Sequence, residues 1–203
     1  FGSADPFNMA ALDMNTGRLL WSHQVESNDL YLVGCPPANK PENCPENGGP
    51  DWDIGNSPIL KTAENGKRVL LAATKNGNVF ALDPDQKGAL LWSVNVRPGP
   101  GGFMWGGATD DKNVYYGHTS GGVAAIRLAT GERVWFNPLT APAGRGRAGN
   151  TAAVTAIPGA VFSGSVTGMF SALSTADGDI LWEFYTKKDF ATVNNVKSNG
   201  NMM

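Results

Sequence analysis

The chain has 203 residues, 41% of them hydrophobic and 17% charged, and a formal net charge of −2. That balance excludes a disordered chain, and no apolar run reaches the ~18 residues of a membrane-spanning helix. The only tight basic pair is Arg145-Gly146-Arg147, read as a solvated loop, so nothing marks a nucleic-acid partner.

The chain opens on Phe1-Gly2-Ser3 and closes on Asn199-Gly200-Asn201-Met202-Met203, so it reads as a piece of a larger protein. Asp5-Pro6 precedes the first of four similar segments, Ala11-Leu12-Asp13 through Thr16-Gly17 to Trp21. A stretch rich in Pro and Asn follows over residues 26–50 and carries both cysteines, Cys35 and Cys44. Two cysteines with no histidine nearby make no zinc site. Asp51-Trp52-Asp53 closes the stretch. From there the pattern is a β-branched or aromatic run, a glycine turn, a second run and a motif ending in Trp. Val69–Thr74, Gly77 and Val79–Leu82 lead to Trp92; Val114–Gly117, Gly121 and Val123–Ile126 lead to Trp135; Ala160–Ser163, Gly168 and Met169–Leu173 lead to Trp182. Each is a hairpin signature. The glycine always lies four residues before the motif alanine, which predicts a turn with positive φ.

The tryptophans are 71, 43 and 47 residues apart. Spacing near 45 predicts four-stranded antiparallel blades of a β-propeller, an all-β fold. About four blades are expected, as one partial ring over residues 1–203, with residues 26–50 an insertion between blades. A small alanine is expected to let a neighbouring indole approach, so that blade packs on blade. Four blades leave open edges, which predicts a marginal or aggregation-prone piece. His23 and His118 lack metal-ligand spacing and read as structural. Gly99-Pro100-Gly101-Gly102 reads as a connecting loop, since no Gly-x-Gly-x-x-Gly opens a helix.

The motif Ala-Leu-Asp-x-x-Thr-Gly-x-x-x-Trp resembles the tryptophan-docking repeat of quinoprotein alcohol dehydrogenases. These are eight-bladed propellers carrying pyrroloquinoline quinone (PQQ) and usually calcium. Non-catalytic propellers such as BamB share the repeat. Ala73-Thr74-Lys75-Asn76-Gly77 resembles the family segment whose lysine contacts the quinone carbonyls. Gly101-Gly102-Phe103-Met104-Trp105-Gly106 resembles the segment that places an Asn-Trp pair beside the cofactor, with Met104 in place of the asparagine. Gly49–Gly55 resembles the Trp-Asp-aromatic segment. With Ser57-Pro58-Ile59-Leu60 and Phe190-Ala191-Thr192-Val193-Asn194, the chain is most similar to polyvinyl alcohol dehydrogenase-type quinoproteins.

The resemblance implies oxidation of primary or secondary alcohols, polymeric ones included, by hydride transfer to the quinone. It implies a periplasmic or otherwise exported protein, an alcohol substrate and an electron acceptor such as a cytochrome c. In an exported protein Cys35 and Cys44 read as a disulfide that holds the insertion as a rim. Asp5 is the candidate base, or else a turn residue of Asp5-Pro6. Lys75 is a cofactor contact, or else an exposed turn lysine. Asp53 and Trp52, with Asp51, form a polar wall near the cofactor, or else cap the insertion. Trp105 lines the site, or else packs in the core. The family's calcium ligands and cofactor-floor tryptophan are not found, and no Cys-x-x-Cys-His attaches haem c. The isolated stretch is therefore expected to bind no PQQ and turn over nothing. The rival reading is a BamB-like scaffold that binds partner proteins.

Overall fold

Strand propensity and glycine turns alternate along the whole chain, and a computed structural model, describing residues 8–27, 29, 31–35, 41–46, 48–139 and 149–199, arranges them as propeller blades. The strands are β1 (Asn8–Leu12), β2 (Leu19–Gln24), β3 (Ile59–Thr62), β4 (Arg68–Ala73), β5 (Asn78–Asp83), β6 (Ala89–Asn95), β7 (Ala108–Thr109) and β8 (Asn113–Gly117). They continue with β9 (Val123–Arg127), β10 (Arg133–Asn137), β11 (Thr155–Ile157), β12 (Ala160–Gly164), β13 (Met169–Ser174), β14 (Ile180–Tyr185), β15 (Asp189–Phe190) and β16 (Ser198–Asn199). β3-β4-β5-β6, β7-β8-β9-β10 and β11-β12-β13-β14 form three four-stranded sheets, with β1-β2 and β15-β16 as two-stranded pairs. Every pairing is antiparallel. Among the described residues the first Trp motif therefore belongs to a two-stranded pair and not to the full blade its sequence predicts. No helix of the described residues is long and apolar enough to cross a membrane.

The middle strands are sandwiched between blades, and that explains their near-continuous apolar runs. Alternate residues of one strand serve two cores. Leu71 and Ala73 of β4, with Val79 and Ala81 of β5, pack towards the next blade with Val114, Tyr116 and Ile126. Ala72 and Leu82 pack back against Met9 and Trp21. Tyr115 leaves the far face of β8 to join Trp135, Val161 and Leu173.

The Trp motif has a common geometry in all four copies. The amides of Gly17, Gly131 and Gly178 donate to the carbonyl four residues earlier, that of Asp13, Arg127 or Ser174, and the amide of Gly88 donates to that of Asp83, five residues earlier. One residue then bulges from the last strand immediately before the tryptophan: the register passes from Leu82↔Leu90 to Ala81↔Trp92, leaving Leu91 unpaired, and the other motifs repeat this. A bulge re-aims the side chain beside it. The motif alanine pairs across the strands with its own blade's tryptophan, so the close approach between blades falls elsewhere. Trp21 lies over Gly88, Trp92 over Gly131 and Trp135 over Gly178, where any Cβ would meet the indole at about 2.6 Å. The landing place of Trp21, Trp92 and Trp135 is the glycine of the following motif, which corrects the expectation placed on the alanine. The glycine has two duties there, a φ of 75–79° and no side chain under the ring. Trp92 and Trp135 also donate from Nε1 to the carbonyls of Leu128 and Thr175, at 3.0 and 3.2 Å. That satisfies the polar tip of a buried indole. Trp182 stacks on Phe184 and remains 48% exposed.

Candidate functional site

The hairpin turns at one end of the blades share a backbone frame. Thr74, His118 and Ser165 each donate to a carbonyl four residues on and accept from the turn glycine, Gly77, Gly121 or Gly168. These glycines have φ of 88, 97 and 86°, as their sequence position predicts. The next turn residue, Lys75, Thr119 or Val166, donates its N–H to the linker preceding its blade: to Asp53 O at 3.1 Å, Gly102 O at 2.9 Å and Gly149 O at 2.9 Å. Phe103 and Asn150 return a bond to Thr74 O and His118 O, both at 3.0 Å. Gly102 thus lies between two turns, and a Cβ on it would collide with the backbone of Lys75 and Gly77.

At one position of this frame the side chains depart from the repeat. Lys75 Nζ hydrogen-bonds to Asp51 Oδ1 at 2.9 Å. It lies 2.8 Å from Asp53 Oδ1 as well, an ion pair held by charge at an oblique angle. The lysine side chain is 20% exposed, so it is enclosed but reachable. Burial pulls its ammonium down, and the hydrogen bonds and charges of Asp53 and Asp51 outweigh that and hold it above the ordinary lysine value. The amine is therefore protonated at neutral pH, with one N–H donated to Asp51 and the Asp53 carboxylate paired with it by charge.

Around this pair the neighbouring segments are tied down. Glu26 accepts from the side-chain amides of Asn76 and Asn78, at 2.9 and 2.8 Å, and so joins the start of the 26–50 stretch to the Lys75 turn. Asn56 Nδ2 donates to Ala73 O at 2.7 Å. Asp29, fully buried, accepts the backbone N–H of Asp51 at 2.8 Å and that of Trp52. Cys35 and Cys44 form a disulfide, as expected.

The other predicted site residues fall as follows. Trp52 is 42% exposed, next to Asp51 in the segment that faces Lys75. Trp105 is also 42% exposed; its loop begins at Phe103, bonded to the Lys75 turn, and Met104 touches Gly55. Asp5 lies outside the described residues. His118 is fully buried, its Nδ1 accepting from Ser120 N at 3.1 Å. Burial and the nearby Arg97 charge push its pKa down to about 4, so it is neutral and structural at pH 7. Above the Thr119 turn lies an open pocket of about 330 Å³, lined by Pro100, Gly101, Thr119, Ser120, Gly149 and Val166. Asp29 and Glu26 were not legible as site residues: each is a lone acid in a polar stretch, with no motif spacing.

A family model, PQQ_2, described as outer membrane protein assembly factor BamB, matches residues 45–193. The chain belongs to this PQQ-repeat propeller family. Among curated proteins this family member is similar to polyvinylalcohol dehydrogenase of a Pseudomonas species, 41% identical over 95% of this chain and 32% of the relative. It is also similar to polyvinylalcohol dehydrogenase of Sphingopyxis sp. strain 113P3, at 36% identity over 97% of this chain and 33% of the relative. The chain thus spans about a third of the length of the curated relatives it matches. In fold it resembles BamB from Moraxella catarrhalis (TM-score 0.57, 19% identity, 85% of this chain and 42% of that one). It likewise resembles the quinohemoprotein alcohol dehydrogenase ADHIIG from Pseudomonas putida HK5 (TM-score 0.55, 22% identity, 68% and 21%).

Proposed function

We propose that this stretch is part of a PQQ-dependent alcohol dehydrogenase that oxidises primary or secondary alcohols, polymeric ones among them, and that Lys75 faces the quinone. The observation that carries the reading is the enclosed Lys75 ammonium, clamped by two carboxylates at a turn position where the other repeats have Thr119 and Val166. The similarity to two polyvinylalcohol dehydrogenases supports the substrate class.

The residues fit one part of the cofactor. With one N–H given to Asp51, the ammonium keeps donor capacity for a carbonyl oxygen. An ammonium donor suits a carbonyl oxygen that gains negative charge, so the quinone edge is the part proposed for this turn. Trp52 and Trp105, each partly exposed, are proposed as the flat apolar surfaces beside it. When bound, PQQ supplies the hydride acceptor. Lys75 would hold a fixed positive charge where negative charge grows on the quinone oxygen. Its protonation is secured by Asp51 and Asp53, so it acts as an electrostatic donor and not as a base. Asp5 is proposed as the base that takes the alcohol proton, which requires it to reach the substrate hydroxyl. Calcium is proposed for the whole enzyme. Among the described residues no group of three or more His, Cys, Asp or Glu is placed to hold a metal ion, and none is assigned here. An exported location and a cytochrome c-type acceptor complete the reading.

The test is a titration of PQQ, with calcium present, into the complete protein, followed by tryptophan fluorescence. We expect saturable quenching, weakened about tenfold or more in Lys75→Ala, the loss of one charge-assisted contact. Absence of quenching in the parent protein overturns the reading. A scaffold that binds partner proteins is the second reading, favoured by the BamB description of the family model; it expects no quenching and no alcohol-dependent dye reduction.

A further inference from the structure

The Lys75 pair depends on an unusual backbone. Asp51 has φ = 69°, in the left-handed region that a non-glycine residue adopts at a cost. Something must hold it there. The group in place is Asp29, 22 residues earlier, whose carboxylate is wholly buried. One oxygen accepts the Asp51 N–H and the other the Trp52 N–H, so a single carboxylate spans two successive peptide groups. Gly49 lies against Asp29 so closely that any Cβ there would strike the carboxylate and the Asp29 backbone.

We propose that Asp29 is the positioning residue of the Lys75 site: by binding both amides it holds Asp51 in its left-handed conformation and aims the Asp51 and Asp53 carboxylates at one ammonium. Residues two apart share a face only in a regular extended strand, and residues 51–55 form none, so no ladder fixes where the two carboxylates point. The left-handed residue sets the course of the chain there instead, and the Asp29 carboxylate stabilises it with charge-assisted hydrogen bonds. The consequence for chemistry rests on the quinone-facing reading of Lys75; the positioning itself does not.

The experiment is competitive acetylation of lysines in the full chain across pH 7–11, read by mass spectrometry, with the exposed Lys112 as internal standard. In the unaltered protein Lys75 is expected to react more slowly than Lys112 and with a higher midpoint. Asp29→Asn offers one acceptor where two are required. It is expected to raise Lys75 labelling at pH 8 about fivefold and to lower its midpoint, with Lys112 and the circular dichroism spectrum unchanged. Gly49→Ala pushes the carboxylate off its amides and is expected to do the same. If Lys75 labelling and midpoint are unaltered in both, the proposal is overturned. Amide hydrogen exchange on the unaltered protein guards against a variant that does not fold: the Asp51 and Trp52 amides are expected to be protected, and rapid exchange at both overturns the clamp. Neither readout involves PQQ, so failure of quinone binding leaves this result standing, and the reverse holds too.

Discussion

The turn at Thr74–Gly77 and the turn at His118–Gly121 are the same object in backbone terms and opposites in chemistry. Each is closed by its glycine and tied by one N–H to the linker before its blade. On the first, that linker carries Asp53 and the turn carries a charged lysine. On the second, the linker residue is Gly102, the turn presents hydroxyls, and the histidine beneath is buried and neutral. The comparison teaches that in this propeller the repeat supplies a rigid mount and the departures from it supply the chemistry. A search for function should therefore align the turns by their backbone bonds and ask which side chains break the pattern.

The most severe way to break the comparison is at the residue both turns share. Gly102→Ala places a methyl against the backbone of Lys75 and Gly77, which cannot give way as a flexible side chain would. The expected loss is about 3 kcal/mol or more, seen as a lower denaturation midpoint. Gly106→Ala, whose new methyl meets only the Ala153 side chain at 3.6 Å, is the control and is expected to stay within about 0.5 kcal/mol.

Next in size is the pH dependence that separates the two turns. His118 has its folded pKa lowered to about 4 from 6.5, so the unfolded chain takes up a proton first as pH falls. Stability from this group is therefore complete above about 6.5 and declines as pH falls towards 4. The decline is expected to be about 1–3 kcal/mol. His118→Gln is expected to flatten the melting temperature across that window, and an unchanged slope would refute the assignment. Lys75 behaves differently: its folded value is raised, so its contribution is complete below the unfolded lysine value and is lost only as alkaline pH rises through the folded one.

Smaller still is the ion pair itself. Lys75→Met leaves Asp51 and Asp53 without their cation. It is expected to cost about 1 kcal/mol at low salt and less at high salt, because the groups are partly exposed. A double-mutant cycle with Asp51→Asn measures the coupling. The mildest change is Thr119→Lys. It deletes the hydroxyl that accepts Gly102 N–H at 3.0 Å, worth about 1 kcal/mol. Because Gly102 stands where the other turn has Asp53, the new amine is expected to be acetylated with an ordinary lysine midpoint, below that of Lys75.

What was legible in the sequence follows from what is local. The glycine turns, the last strands that carry each Trp and the Lys75 turn depend on residues a few positions apart, and their spacing shows; the bulge before each Trp does not. The near pairing of Cys35 and Cys44 was legible for the same reason. The landing of Trp92 on Gly131 was not, because it joins two blades and the glycine already has a sufficient explanation in its φ. The gathering of Asp51 and Asp53 on Lys75 was legible only as proximity of segments. Its cause, the reach of Asp29 across the 26–50 stretch, leaves no periodicity to read. The expected base Asp5 lies outside the described residues.

The stacking of Trp21, Trp92 and Trp135 on the glycine of the following motif imposes a direction on assembly. Trp92 is covered only when Gly131 has been made, and Trp135 only when Gly178 has been made, 39 and 43 residues later. During synthesis a blade therefore emerges with its tryptophan bare and is sealed by its successor. A pause in translation between two motifs leaves one indole waiting, and a chaperone that binds exposed aromatic side chains would find it there, one blade behind the growing end.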